Sequence, residues 1–249
     1  MEQEVSIMLS QEIPNIEATV SQDQVNSTVS EVMRRVYALM TLGLMVTALV
    51  AWGVFNTPGL METIFSIPFA MIGIIIGQIA LVMLVAAGAW KFPPSTAMVL
   101  FLLYAAVNGL MFSTIFFAFD LGSIAMVFAI TAGMFGLMSV IGFTTKTDMT
   151  KMGTFLLMGL IGVLLASLAN FFFKSEALYW VITYAGVAVF LGLTAYDTQR
   201  IKKMTVAMLY NPNGEIDTTI SRIAISGALS LYLDFINLFM FLLRIFGRN

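Results

Sequence analysis

Ile223–Leu243 reads IAISGALSLYLDFINLFMFLL. Twenty of these 21 residues are uncharged, and the exception, Asp234, lies in the middle. A helix needs about 20 mainly apolar residues to cross a hydrocarbon core of roughly 30 Å, so the stretch is long enough to span a membrane. It lacks the apolar/polar alternation of a membrane β-strand. Backbone in lipid must close its own hydrogen bonds, which a helix does. Six uncharged runs of 20 to 28 residues precede it: Val36–Met61, Thr63–Trp90, Phe92–Phe119, Leu121–Thr145, Met152–Phe173 and Ala177–Tyr196. The pattern predicts an all-α, polytopic membrane protein with seven transmembrane helices. Asn56-Thr57-Pro58-Gly59, Pro93-Pro94 and Asn211-Pro212-Asn213-Gly214 mark loops between them.

Composition agrees. Charged residues are 10% of the 249, against roughly 25% in soluble domains. Hydrophobic residues are 59%. Eight of the 26 charges fall in the first 35 residues, so the remainder cannot coat a water-soluble surface. A soluble enzyme is excluded on that ground. The chain has neither Cys nor His, which removes disulfides, thiol nucleophiles, Ser-His-Asp triads and Cys/His zinc sites. A net charge of −2 gives no basic field for nucleic acid.

Residues 1–30 form a different region. They carry Glu2, Glu4, Glu12, Glu17 and Asp23 and no basic residue. Their composition predicts an acidic, disordered tail ahead of a transmembrane domain over 31–249. Thr28-Val29-Ser30-Glu31 fits a capping box and places the first helix start there. No apolar core follows a basic start, so the tail is not read as a signal peptide. With seven spans, nine basic residues fall on the N-terminal side and three on the other. That bias puts the N-terminus in the cytoplasm and the C-terminus outside.

Asp234 lies about 16 Å along its helix from Ile223 at 1.5 Å per residue. A carboxylate at that depth costs at least about 2.5 kcal/mol and needs a partner or water. At about 100° per residue, Ser226, Ser230, Asp234 and Asn237 fall within an arc of about 80°. Two readings stay open: a polar seam that joins helices, or the wall of a water or ion path. Asp197 closes the sixth run in Thr194-Ala195-Tyr196-Asp197-Thr198-Gln199-Arg200. It is either a helix-end carboxylate paired with Arg200 at i+3 or a functional group. Two carboxylates brought close cannot both ionise cheaply and titrate as a unit. Asp197 and Asp234 together therefore suit a proton-sensitive latch, and also a set of oxygen ligands for calcium. Gln78, Asn108 and Asn170 read as interhelical hydrogen-bonding groups.

Leu191–Lys202 (LGLTAYDTQRIK) and Leu229–Phe239 (LSLYLDFINLF) resemble the signature segments of the Bax inhibitor family, the transmembrane Bax-inhibitor-motif or lifeguard group. Gly142–Gly153 (GFTTKTDMTKMG) resembles the loop after the fourth span in bacterial members, and Met33-Arg-Arg-Val-Tyr37 resembles the entry to the first. The resemblance covers residues 31–249. It implies seven helices with the last one central, and a bacterial inner-membrane location. It also implies a calcium leak that responds to pH, with Asp197 and Asp234 as sensor and gate. Ser226, Ser230 and Asn237 would line the path, with calcium and protons as the ions served and no cofactor. Relatives pair an arginine at the end of the second span with the first aspartate. Here that position offers only Lys91, a point charge without the bidentate fork of arginine.

Two other functions are weighed. One is a regulator of other membrane proteins, such as a membrane protease, with no flux of its own. The other is an intramembrane aspartyl protease. Leu231-Tyr232-Leu233 precedes the second aspartate where such an enzyme carries Gly-x-Gly, so the chain is not read as an enzyme.

Overall fold

The structure is a computed structural model and describes residues 20–88, 90–210 and 215–247. The described residues form helices α1 (Gln22–Asn56), α2 (Leu60–Ser66), α3 (Ala70–Gly88), α4 (Pro94–Phe112), α5 (Ile115–Ala118), α6 (Leu121–Thr144), α7 (Thr150–Phe173), α8 (Glu176–Tyr210) and α9 (Ile216–Phe246). Six stretches are long and apolar enough to cross a membrane: α1, Pro94–Ala118, α6, α7, α8 and α9.

The second predicted span is shorter than its sequence run. Thr63–Trp90 does not form one helix, because Pro68 breaks it between α2 and α3. Ile67, before the proline, is extended (ψ 121°), as the proline ring requires, and Phe69 takes a left-handed φ of 64°. The 19 residues of α3 reach about 28 Å, just under the core thickness.

α1 starts earlier than Thr28. Ser21 Oγ accepts the Gln24 amide at 3.2 Å, while Gln24 Oε1 accepts the Ser21 amide at 3.0 Å, a complete capping box. The added turns bury Val25 and Val29 on the stripe that continues through Val32, Val36 and Met40. Residues 20–30 thus include two turns of helix, and the rest of the acidic tail, 1–19, lies outside the described residues. α8 overruns its uncharged segment by 14 residues and α9 begins seven residues before Ile223. Both therefore project beyond a bilayer on the side of their connection. α9, with 31 unbroken residues, is about 46 Å long and exceeds the membrane core.

α9 is the central helix. In its apolar window 61% is buried, against 11–39% in the other five long spans. It packs on α1, α3, α4, α6 and α8. Tyr232 is fully buried, shares a 2.7 Å hydrogen bond with Thr47 and meets Phe101 and Tyr104 edge-on. The helices around α8 approach closely at two glycines. A Cβ on Gly142 of α6 would strike the Ala195 backbone, and one on Gly153 of α7 would strike the Tyr196 ring. These contacts fix the segment that carries Asp197.

Candidate ion-path site

Asp234 is 4% exposed, and its Oδ2 has no hydrogen-bond partner among the described residues. It lies on a stripe of α9 made by Ser230, Leu233, Asp234, Asn237, Phe241 and Arg244, which lines a cavity of about 930 Å³. α7 and α8 supply most of the remaining wall, including Gly153, Thr154, Tyr196, Asp197 and Arg200. From Ser230 to Arg244 the cavity follows α9 for about 21 Å, most of a bilayer core.

Asp197 and Asp234 face this one cavity from adjacent helices and lie within range of each other's charge. The structure brings the two sequence-predicted carboxylates together. Ser230 and Asn237 line the same cavity. Asn237 Nδ2 donates to the Leu233 carbonyl at 2.8 Å, and among the described residues its amide oxygen accepts from no donor. Ser226 lines a smaller cavity of about 140 Å³ that shares Asp197, Arg200 and Ser230 with the first. Asp197, Arg200 and Ser230 therefore stand between the two voids as wall common to both.

Of the two latch-partner candidates, Arg200 is the one that pairs. Its Nη1 lies 3.8 Å from Asp197 Oδ1, with the arginine side chain 54% exposed and the aspartate 13%. That separation is an ion pair and not a hydrogen bond, and water screens it. Lys91 is exposed and makes no ion pair among the described residues. Its neighbour Trp90 lines the smaller cavity.

At the other end, Arg244 sits over the rings of Phe241 and Tyr179, 5.0 and 5.6 Å from their centroids. Calcium takes six to eight oxygen ligands. Among the described residues no three acidic groups gather as a metal cluster. Two carboxylates with Ser230 and Asn237 offer a sparse oxygen set, in which most of a cation's ligands would be water.

One feature escapes the sequence reading. The loop between α6 and α7 is clamped to α8 one turn past Asp197. Gln199 Nε2 donates to the Thr147 carbonyl at 2.8 Å, and Gln199 Oε1 accepts the Met149 amide at 2.9 Å. Lys202 Nζ donates to the Phe143 carbonyl at 2.9 Å, and Lys203 pairs with Asp148. The hydrogen bond from Lys203, helped by those from Thr150, holds the Asp148 carboxyl below the ordinary aspartate range. The run of Lys146, Asp148 and Lys151 was the available signal, but nothing in it specifies α8 as partner. Among the remaining polar groups, Gln78 Nε2 donates to Asn108 Oδ1 at 3.3 Å between α3 and α4. Asn170 accepts the Ser175 amide at the α7–α8 turn.

Residues 29–249 match the family described as "Inhibitor of apoptosis-promoting Bax1". The chain belongs to the Bax inhibitor family. It is 49% identical over 221 residues to the inner membrane protein YbhL of Escherichia coli strain K12, covering 87% of this chain and 91% of that one. An uncharacterized protein of Borreliella burgdorferi is 43% identical, with 87% and 91% covered. An uncharacterized membrane protein of Streptococcus pyogenes is 37% identical, with 86% and 91% covered. This member of the Bax inhibitor family is thus an integral membrane protein, and the matched region begins inside α1 and includes every helix named above.

Proposed function

We propose that the protein is a pH-sensitive, calcium-permeable leak of the bacterial inner membrane, closed by a latch between Asp197 and Asp234. The observation that carries this reading is the shared cavity: two carboxylates from adjacent helices face one void that follows α9 for about 21 Å, and Asp197, Arg200 and Ser230 also line the smaller void beside it. A proton shared by the pair holds α8 against α9. Its loss sets two anions together in a confined space, which a cation relieves and a separation of the helices also relieves. In this reading the N-terminus is cytoplasmic and the C-terminus external, by the basic-residue bias.

The test is calcium flux from liposomes across pH steps. Wild type conducts more as pH rises. Asp197→Asn or Asp234→Asn flattens the response, and the double variant departs from the sum of the two because coupled neighbours are not additive. An unchanged pH profile in the double variant would assign the pair to helix packing alone. Absence of flux in wild type favours the regulator of another membrane protein. Cleavage of a labelled transmembrane peptide would favour the protease.

A further inference from the structure

A second cavity, of about 670 Å³, lies on the opposite flank of α9, between α1 and α6. It is separate from the acidic path and shares none of its lining residues. Its character changes along its length. Ser30, Tyr37, Thr41 and Ser139 set hydroxyls among Met33 and Phe143 at one end, while Leu44, Ala48 and Phe128 close the other without a polar group. Ser139 is 5% exposed, lines the groove, and its Oγ has no partner among the described residues. One turn away, a Cβ on Gly136 would meet nothing within 4 Å, so the α6 wall is recessed.

Arg34 falls on the same face of α1 as Ser30, Thr41 and Met45, at about 100° per residue. It has no acidic partner among the described residues, and the nearby Glu31 is already held by Arg35 at 2.5 Å. Lys146, just past the end of α6 on this side, also has none. From Tyr37, at the start of the first uncharged run, to Ala48 the groove covers about 16 Å, half of a roughly 30 Å core and therefore one leaflet. Basic and hydroxyl groups at the interface, followed by an apolar slot one leaflet deep, are the features of a lipid.

We propose that the α1–α6 groove binds an anionic phospholipid, with one acyl chain along Leu44, Ala48 and Phe128, the ester region at Ser139 and Tyr37, and the phosphate at Arg34. A transmembrane helix fits less well, since it would bring its own apolar surface to the hydroxyl end and leave the buried Ser139 Oγ without a partner. The lipid would touch α9 directly: Phe235, next to Asp234, lines the groove and meets Phe128 and Phe135 at 5.3 and 5.4 Å between ring centroids.

The test uses the full chain in vesicles of equal parts phosphatidylcholine and phosphatidylglycerol, each lipid supplied in turn with a photoreactive acyl chain. Adducts mapped by mass spectrometry should be several-fold denser on Tyr37–Ala48 and Phe128–Val140 than on the exposed α7 face at Leu165 and Leu168. Arg34→Gln, an exposed position that the fold does not need, should retain the chain adducts and cut the preference for phosphatidylglycerol by about fivefold. Ala132→Leu with Gly136→Leu should fill the slot and lower adducts to the α7 level, with a thermal melt to show that the protein is folded. Groove adducts no denser than those on α7, or cross-linking of this face to a second copy or another helix in place of lipid, would overturn the proposal. So would an Arg34→Gln protein with unchanged lipid preference.

Discussion

Two glycines of α7 should respond in opposite ways to the same change. A Cβ at Gly153 would come within 3 Å of three atoms of the Tyr196 ring, whereas one at Gly162 would meet nothing within 4 Å. Replacing a mid-helix glycine by alanine gains about 1 kcal/mol from helix propensity. At Gly162 that gain is unopposed, so Gly162→Ala should stabilise by up to about 1 kcal/mol. At Gly153 overpacking costs about 1–3 kcal/mol, which outweighs the gain, so Gly153→Ala should be neutral to destabilising by about 2 kcal/mol. The acidic cavity gives the ring room to move. Tyr196 lines the acidic cavity, so displacement moves it into the path beside Asp197 and narrows it. Gly153→Ala should therefore also lower calcium flux at high pH, and trimming the ring with Tyr196→Leu should restore it. Thermal unfolding in detergent and liposome flux read the two effects separately. If both glycine variants shift the melting temperature upward alike, the close approach of α7 to α8 is refuted.

Other expectations follow from the same geometry. Arg200→Gln should cost less than about 1 kcal/mol of stability, because the pair is loose and half in water. It should move the flux profile to higher pH, since a neighbouring cation favours an ionised carboxylate. Lys91→Gln should leave the profile in place, and the reverse outcome would return the partner role to Lys91. Asp148→Asn should loosen the clamp on α8 at neutral pH. The folded Asp148 carboxyl lies below its unfolded value, so its contribution is complete above that value and is lost as pH falls through the folded one. The difference in melting temperature between wild type and Asp148→Asn should be constant near neutrality and close as pH drops below about 3.9.

The spans were legible because charge is excluded from lipid far more strictly than from a soluble core. Every uncharged run of the sequence contains a helix, and the polar arc on the last run lies where the cavity is, from Ser226 to Asn237. What charge does not report is backbone continuity. Pro68 lies inside an uncharged run and divides it, and the overhangs of α1, α8 and α9 lie in charged sequence that a membrane criterion discards. Pairing across the fold was least legible. Arg200 was visible as an i+3 neighbour of Asp197, but Gln199 reaches a loop 52 residues away, and its sequence surroundings are ordinary for a helix.

The same limit bears on how the site works. Asp197 is immobilised from two sides at once, by Gly142 and Gly153 bringing α6 and α7 against Ala195 and Tyr196, and by the clamp at Gln199, Lys202 and Lys203. The Asp234 carboxyl is held less: Tyr232 fixes its helix through Thr47, but among the described residues its own Oδ2 has no partner, and Asn237 one turn away donates only within α9. Under the proposed latch, a change in charge between the two carboxylates would act from a fixed Asp197 on a side chain of α9 and on the helix that carries it. That helix packs on α1, α4 and α6 as well, so a small shift at Asp234 reaches Phe235 and the α1–α6 groove. An occupant of that groove and a proton on the aspartate pair would then act on one helix, and each should alter the effect of the other.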